Sequence, residues 1–309
     1  MKNFAKLPYF IFISFIVLFF ACNQSNGPKS NKETILKGST TILVDETLKP
    51  IVEDQIEVFE SRYEAKIKLD AKSESEVIRA FVKDTASIAV LSRTLTNEEM
   101  KVFDNKKIAP KVTKFAIDAI AFITTKNDND TLIALQDVIA FMNGNYKGTA
   151  IKGLVFDNPN SSTVRYMNTL AGLKSIPQKG VFSFKTNDEV IKFVSQNEGM
   201  VGIVGVNWLS QPSPAMQEFV EKVTILSVKG LSDSNYYSPT QNNIAEGKYA
   251  LARDLYIINC QGYSGLGMGF ASFVAGDIGQ RIVLKSGLLP VKIPPRKLNI
   301  RKQINKDKK

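Results

Sequence analysis

Histidine is absent from all 309 residues. That absence excludes His-based general acid–base catalysis, Ser-His-Asp and Cys-His nucleophile systems, and the commonest zinc sites. Carboxylate-only chemistry stays possible, with Asp118 and Asp157 as paired acids, but the absence weights the sequence away from an enzyme. Cysteine is nearly absent as well, with Cys22 and Cys260 alone. Cys260 follows the strand-like run Leu255 to Asn259 and reads as a buried structural thiol. No apolar run reaches the ~20 residues that a membrane-spanning helix needs. The longest, Leu7 to Ala21, has fifteen. No metal-ligand cluster, cofactor motif or internal repeat is visible.

The order of what is present near the amino terminus reads as an export signal. Lys2 and Lys6 precede the apolar run, which ends in Ala21-Cys22, the order of a signal peptide. Phe19-Phe20-Ala21-Cys22 is similar to a bacterial lipobox, which makes Cys22 the lipidation site. The other reading is an ordinary signal peptide that contains a cysteine. A polar tether, residues 22–33, follows; it has Gly and Pro but nothing with which to build a core. With Cys22 lipidated no disulfide is expected, although an exported protein permits one.

The formal charge of +10 is concentrated at the ends. The signal carries two of these charges and the tail from Lys292 to Lys309 seven net, which leaves one for the body. A near-neutral body has no nucleic-acid footprint. The tail reads as a solvated end or as a contact for anionic lipid.

Between tether and tail, strand-like and helix-like segments alternate, which indicates α/β architecture with parallel-rich sheets. Thr34 to Lys37 reads as a strand followed by a Gly38–Thr41 turn, Glu46 to Tyr63 as an amphipathic helix, and Lys114 to Thr124 as a long strand interrupted by Asp118. Leu132 to Met142, Ser161 to Leu173 and Asp188 to Gln196 read as helices, Val223 to Val228 as a strand, and Phe270 to Lys285 as one closing helix. Four places have polar groups at the end of a strand or before a helix: Gly38-Ser39-Thr40-Thr41, Ser92-Arg93-Thr94, Asp118 and Asn160-Ser161-Ser162-Thr163. Helix N-termini receive anions because their N–H groups are unsatisfied and partly positive. Each loop taken alone reads equally as a helix cap.

Taken in order, these segments resemble the PstS-like phosphate-binding component of bacterial phosphate ABC transporters. The run from Ser87 to Glu99 (SIAVLSRTLTNEE) is similar to that family's IGIASRPLTxEE, and Asp118 to Thr124 (DAIAFIT) to its DGIAVIVN. The helix Asp130 to Tyr146, the strand Gly199 to Leu209 (GMVGIVGVNWL), Tyr249 to Ile257 (YALARDLYI) and Gly279 to Pro290 continue the series. The resemblance covers residues 34–290 and implies a type II periplasmic-binding-protein fold, two α/β domains with a ligand cleft between them. The first domain is expected at residues 34–117 plus 246–291 and the second at 118–245.

The resemblance further implies that Ser39, Thr40, Ser92, Ser161, Ser162 and Thr163 donate to a phosphate or related oxyanion. Asp118 would accept the proton of a protonated phosphate and so reject sulfate. The family's phosphate loop, RExGSGT, is here Asp157-Asn-Pro-Asn-Ser-Ser-Thr163, with Asp157 at the place of the arginine and Ser162 at the place of the central glycine. A bidentate partner is thereby lost. Arg93 or Arg165 is expected to replace it, with Arg165 equally readable as a surface helix residue. The implied protein is a monomeric, lipid-anchored receptor of the periplasm or cell surface that hands its ligand to an ABC permease. A sensor or scaffold with a degenerate cleft is the alternative on the same fold.

Overall fold

The computed structural model describes residues 33–294 apart from residues 85, 147 and 149. The signal segment, Cys22, the tether up to residue 32 and the tail from residue 295 lie outside the described residues. In chain order the strands are β1 (Lys37–Asp45), β2 (Glu64–Lys72), β3 (Ile88–Leu91), β4 (Lys111–Thr125), β5 (Leu132–Ala134), β6 (Gly153–Phe156), β7 (Val181–Ser183), β8 (Met200–Gly205), β9 (Val223–Ile225), β10 (Ser227–Lys229), β11 (Ala252–Asn259) and β12 (Leu289–Pro290). The helices are α1 (Lys49–Arg62), α2 (Glu74–Val82), α3 (Asn97–Asn105), α4 (Leu135–Met142), α5 (Ser162–Ala171), α6 (Asn187–Gln196), α7 (Asn207–Ser210), α8 (Gln217–Val220), α9 (Gln241–Ala245), α10 (Leu266–Ala275) and α11 (Asp277–Lys285), with a short 3-10 turn at Glu46–Leu48.

Ten strands form one sheet in the order β2-β1-β3-β11-β4-β8-β6-β7, with β9 and β12 also against β4. The fifteen-residue β4 joins two halves. Residues 111–119 pair antiparallel with β11, and Ile120 to Ile123 with β8. Elsewhere pairing is largely parallel, β1 with β2 and β3, and β6 with β7 and β8. Parallel strands deliver their loops to one edge, at their carboxyl ends. In both halves that edge faces the junction.

The core follows from which faces are apolar. Ile51, Val52, Ile56 and Phe59 recur at helical spacing on α1 and bury against β1, β2, α10 and α11. On the other face Val77, Phe81 and Phe103 of α2 and α3 pack on Leu43, Ala89 and Leu91, with Cys260 in the same cluster, its thiol pushed up to about 12 by burial. The second half has its own core, built from β4, β6 and β8 under α4, α5 and α6. Helix starts are set by local chemistry: Ser73 with Glu76 and Thr96 with Glu99 form capping boxes. Gly172 ends α5 with φ 69°, a left-handed conformation that costs glycine little.

Four expectations are corrected. Gly38–Thr41 is not a turn but part of β1, which runs on through nine residues paired with β2. The β-branched run Thr40-Thr41-Ile42 prolongs the strand. The segment from Phe270 is the end of one helix and the whole of another, broken at Gly276. Val223 to Val228 divides into β9 and β10, which pair with different strands. Leu132 to Ala134 is the strand β5 that precedes α4.

Candidate functional site at the junction of the two halves

Asp118 and Arg253 are register partners on the antiparallel pair β4 and β11. Both are buried, and Arg253 Nε and Nη2 donate to the same Asp118 oxygen, Oδ2, at 3.0 and 2.8 Å. The remaining guanidinium hydrogens go to hydroxyls. Nη1 meets Ser162 Oγ at 2.9 Å and Thr163 Oγ1 at 3.5 Å, and Nη2 meets Thr47 Oγ1 at 3.4 Å. Arginine has five N–H donors, so all of them are engaged. Burial opposes the charge of Arg253, but Asp118 and Asp45 hold its pKa above the ordinary value. Burial pushes the Asp118 carboxyl up, and Arg253 opposes that shift.

Around this pair two loops face one another. From the first half comes Asp45-Glu46-Thr47, where β1 ends and the 3-10 turn begins. From the second comes Asp157 to Ser162, which leads from β6 into α5. Thr47 Oγ1 and Ser162 Oγ lie 3.0 Å apart across the junction. Trp208 Nε1 and Asn207 Nδ2 donate to the Thr47 carbonyl at 2.9 and 3.3 Å. Ser161 is the N-cap of α5, its Oγ accepting from Val164 N at 3.2 Å and donating to Asp157 Oδ1 at 2.6 Å. The N–H groups of the first helical turn have no intrahelical acceptors, so those of Ser162 and Thr163 add polarity that favours an anion beside their own hydroxyls. Gly205 passes beneath the cluster: a Cβ there would lie 2.7 Å from Asn207 Oδ1 and 3.5 Å from Arg253 Nη2.

Two further sets of contacts join the halves. Asn187, at the start of α6, donates from Nδ2 to Glu46 Oε2 at 2.9 Å and to Asp157 Oδ2 at 3.4 Å. Burial raises Glu46 to about 7, and it pushes Asp157 well above the carboxylate range. On the other side of the junction Glu74 accepts from Arg165 Nε at 2.6 Å and from Arg93 Nε at 3.1 Å, while Ser75 N donates to Asn160 O at 3.2 Å. A cavity of about 260 Å³ opens there, lined from both halves by Ser75, Asn160, Arg165 and Asn168. The halves are closed on one another by the protein's own groups.

A model described as a PBP superfamily domain matches residues 29–277. The chain belongs to that superfamily. Among curated relatives, the phosphate-binding protein PstS of Borreliella burgdorferi is 28% identical over 93% of this chain and 99% of its own length. PstS of Staphylococcus aureus (strain USA300) is 27% identical over 77% of this chain and 72% of its own. Among solved structures, a putative phosphate ABC transporter substrate-binding protein from Clostridium perfringens has a TM-score of 0.68, at 20% identity, and covers 82% of this chain and 100% of its own. An ABC-type phosphate transport receptor from Vibrio cholerae has a TM-score of 0.60, at 18% identity, over 82% of this chain and 100% of its own. The expected periplasmic-binding-protein fold is therefore the observed one.

On this PBP fold the residues singled out in the sequence separate into three groups. Asp118, Ser162 and Thr163 converge on Arg253, and Ser161 stands beside them as a cap. Ser92, Arg93 and Arg165 gather around Glu74 instead: Arg165 Nη2 reaches Ser92 Oγ at 3.3 Å, and Arg93 also holds both oxygens of Glu99 at 2.8 Å. Ser39 and Thr40 join neither group. They lie near the start of β1, Ser39 exposed and paired with Lys66. Asp45 lies six positions along the strand from Ser39, roughly 20 Å at the usual rise.

Sequence reasoning missed Thr47, Asp45, Glu46, Glu74 and Asn187, and it passed over Arg253. The buried cation sought in Arg93 or Arg165 is Arg253, which approaches from the return strand β11. A signal for it was present: in Ala252-Arg253-Asp254-Leu255 an arginine stands in a strand whose alternate residues are buried, and a buried arginine demands a carboxylate.

Proposed function

We propose that this chain is an extracytoplasmic solute-binding lipoprotein that captures phosphate, or a similar oxyanion, between its two halves and delivers it to an ABC transporter. The observation that carries this reading is the convergence of Thr47, Ser162 and Thr163 hydroxyls with Arg253 at the amino end of α5. Hydroxyls donate without adding charge, a helix N-terminus favours an anion, and a guanidinium polarises both. The names of relatives aligned over nearly the whole chain support phosphate as the anion. In this reading the two halves are the two domains, residues 34–117 with 246–291 and residues 118–245, and β4 and the segment before β11 are the connections that flex.

Ser92 and Arg165 stand at the rim, where they guide the anion in and hold the cleft shut. No bond is made or broken. Asp118 and Asp157 do not form an acid pair in this account, because one is held by Arg253 and the other by Ser161 and Asn187. The same reading places the protein at the periplasm or cell surface as a monomer, anchored through lipid on Cys22.

A second reading has one observation in its favour. Every donor of Arg253 is engaged by the protein itself, as in a cleft that no longer takes a ligand and serves a sensor or scaffold. Calorimetric titration with phosphate, sulfate and molybdate separates the two. Saturable binding of phosphate supports the receptor; the absence of heat with all three oxyanions supports the degenerate cleft.

A further inference from the structure

One of the hydroxyls assigned to the oxyanion already holds a carboxylate. Asp45, the last residue of β1, is fully buried. Thr47 Oγ1 donates to its Oδ2 at 2.8 Å, and Thr47 N approaches its Oδ1 at 3.4 Å. A hydroxyl has one proton and two lone pairs. Thr47 Oγ1 accepts from Arg253 Nη2 and donates its own O–H to Asp45 Oδ2. The charge of Arg253 therefore reaches Asp45 through hydroxyls, in the manner in which it would reach a bound anion.

A capping role accounts for only part of this arrangement. An aspartate before a 3-10 turn commonly accepts from the N–H two residues on, as Asp45 does from Thr47. Capping does not require the carboxylate to be fully buried, nor the hydroxyl that bonds it to meet Arg253 and, across the junction, Ser162. The carboxylate also keeps unfavourable company: Glu74, Glu46 and Asp157 face the same junction, with Arg253 opposing them.

We propose that Asp45 is an internal competitor for the oxyanion, its carboxylate taking the Thr47 hydroxyl that a bound phosphate would use. This inference rests on the phosphate reading. It gives the chain from Arg253 through Thr47 to Asp45 a function: an anion binds there only if it outcompetes Asp45 for the Thr47 hydroxyl. Burial and the charge of Glu74 raise the Asp45 pKa, so acidification neutralises the competitor and favours exchange.

The test is calorimetric titration of the full chain, wild type and Asp45→Asn, with inorganic phosphate at pH 8. Asparagine keeps the acceptor that caps the turn but lacks the charge. Asp45→Asn is expected to bind phosphate about tenfold more tightly at pH 8, the gain that follows when a self-occluded state is removed. Asp45→Ser, which keeps a capping oxygen, is expected to behave the same way and serves if the first variant does not fold. If the wild type binds phosphate and neither variant binds it more tightly, the proposal is overturned and the phosphate reading stands. If the wild type and both variants bind no phosphate, the reading and the proposal fall together.

Discussion

Arg253 and Asp118 face each other across β4 and β11, where the sheet passes from one half of the molecule to the other. Their ion pair is buried, and the guanidinium extends from it into the hydroxyls of both facing loops. A buried pair of this kind contributes little net stability, but removing one member leaves an uncompensated charge in a low dielectric. Arg253→Met is expected to lower unfolding free energy by about 3–5 kcal/mol. Adding Asp118→Leu to it should restore much of that loss. Urea unfolding of the two single variants and the double variant measures both quantities.

How the cluster was legible in the sequence differs from one residue to the next. Alternation of strands and helices, the Thr96 capping box and the long β4 are local patterns, and the fold built on them is as expected. Ser162 and Thr163 were identifiable because they open a helix. Arg253 and Thr47 were not singled out because their role is created by pairing distant in sequence: Arg253 lies 135 residues from Asp118 and 91 from Ser162. Ser39 and Thr40 misled for the opposite reason. Gly-Ser-Thr-Thr has the composition of a loop, yet its β-branched residues continue a strand whose nine-residue pairing with β2 outweighs composition.

That difference is measurable. Ser39→Ala should leave phosphate affinity within about twofold, as expected of an exposed strand position. Ser162→Ala should weaken it by about tenfold, the loss of one hydrogen bond to a charged group. Calorimetry of both variants decides whether the start of β1 or the start of α5 belongs to the site.

Glu46 gives the fold a distinct pH dependence. Its carboxyl is raised from an ordinary 4.5 to about 7, chiefly by burial. Between those values the folded protein retains a proton that the unfolded chain has lost, so stability falls as pH rises through this window. Glu46→Gln keeps an acceptor for Asn187 but does not titrate. Its melting temperature should fall less than that of the wild type between pH 4.5 and 7; an equal slope in both proteins would assign the dependence to other groups.

Glu74 holds the opposite rim, accepting from Arg93 and Arg165. Arg93 keeps Glu99 when Glu74 is lost, whereas Arg165 loses its ion-pair partner. Glu74→Gln is expected to shift the unliganded protein toward an open form, seen as a larger radius of gyration in small-angle scattering. Saturating phosphate should return it to the wild-type value.

Gly205 is constrained by space. A Cβ would come within 2.7 Å of Asn207 Oδ1, and accommodating it moves the residues that hold Thr47. Gly205→Ala should destabilise by about 1–3 kcal/mol and weaken phosphate binding, read by thermal melts and titration of one preparation.

The central claim is that Thr47, Ser162 and Arg253 form the seat of a captured phosphate. A crystal structure of the protein grown with phosphate tests it most directly. The account predicts a phosphate within hydrogen-bond distance of Thr47 Oγ1 and Ser162 Oγ, with Arg253 still paired to Asp118. A phosphate bound elsewhere, with Thr47 and Ser162 still closed on each other, would contradict it.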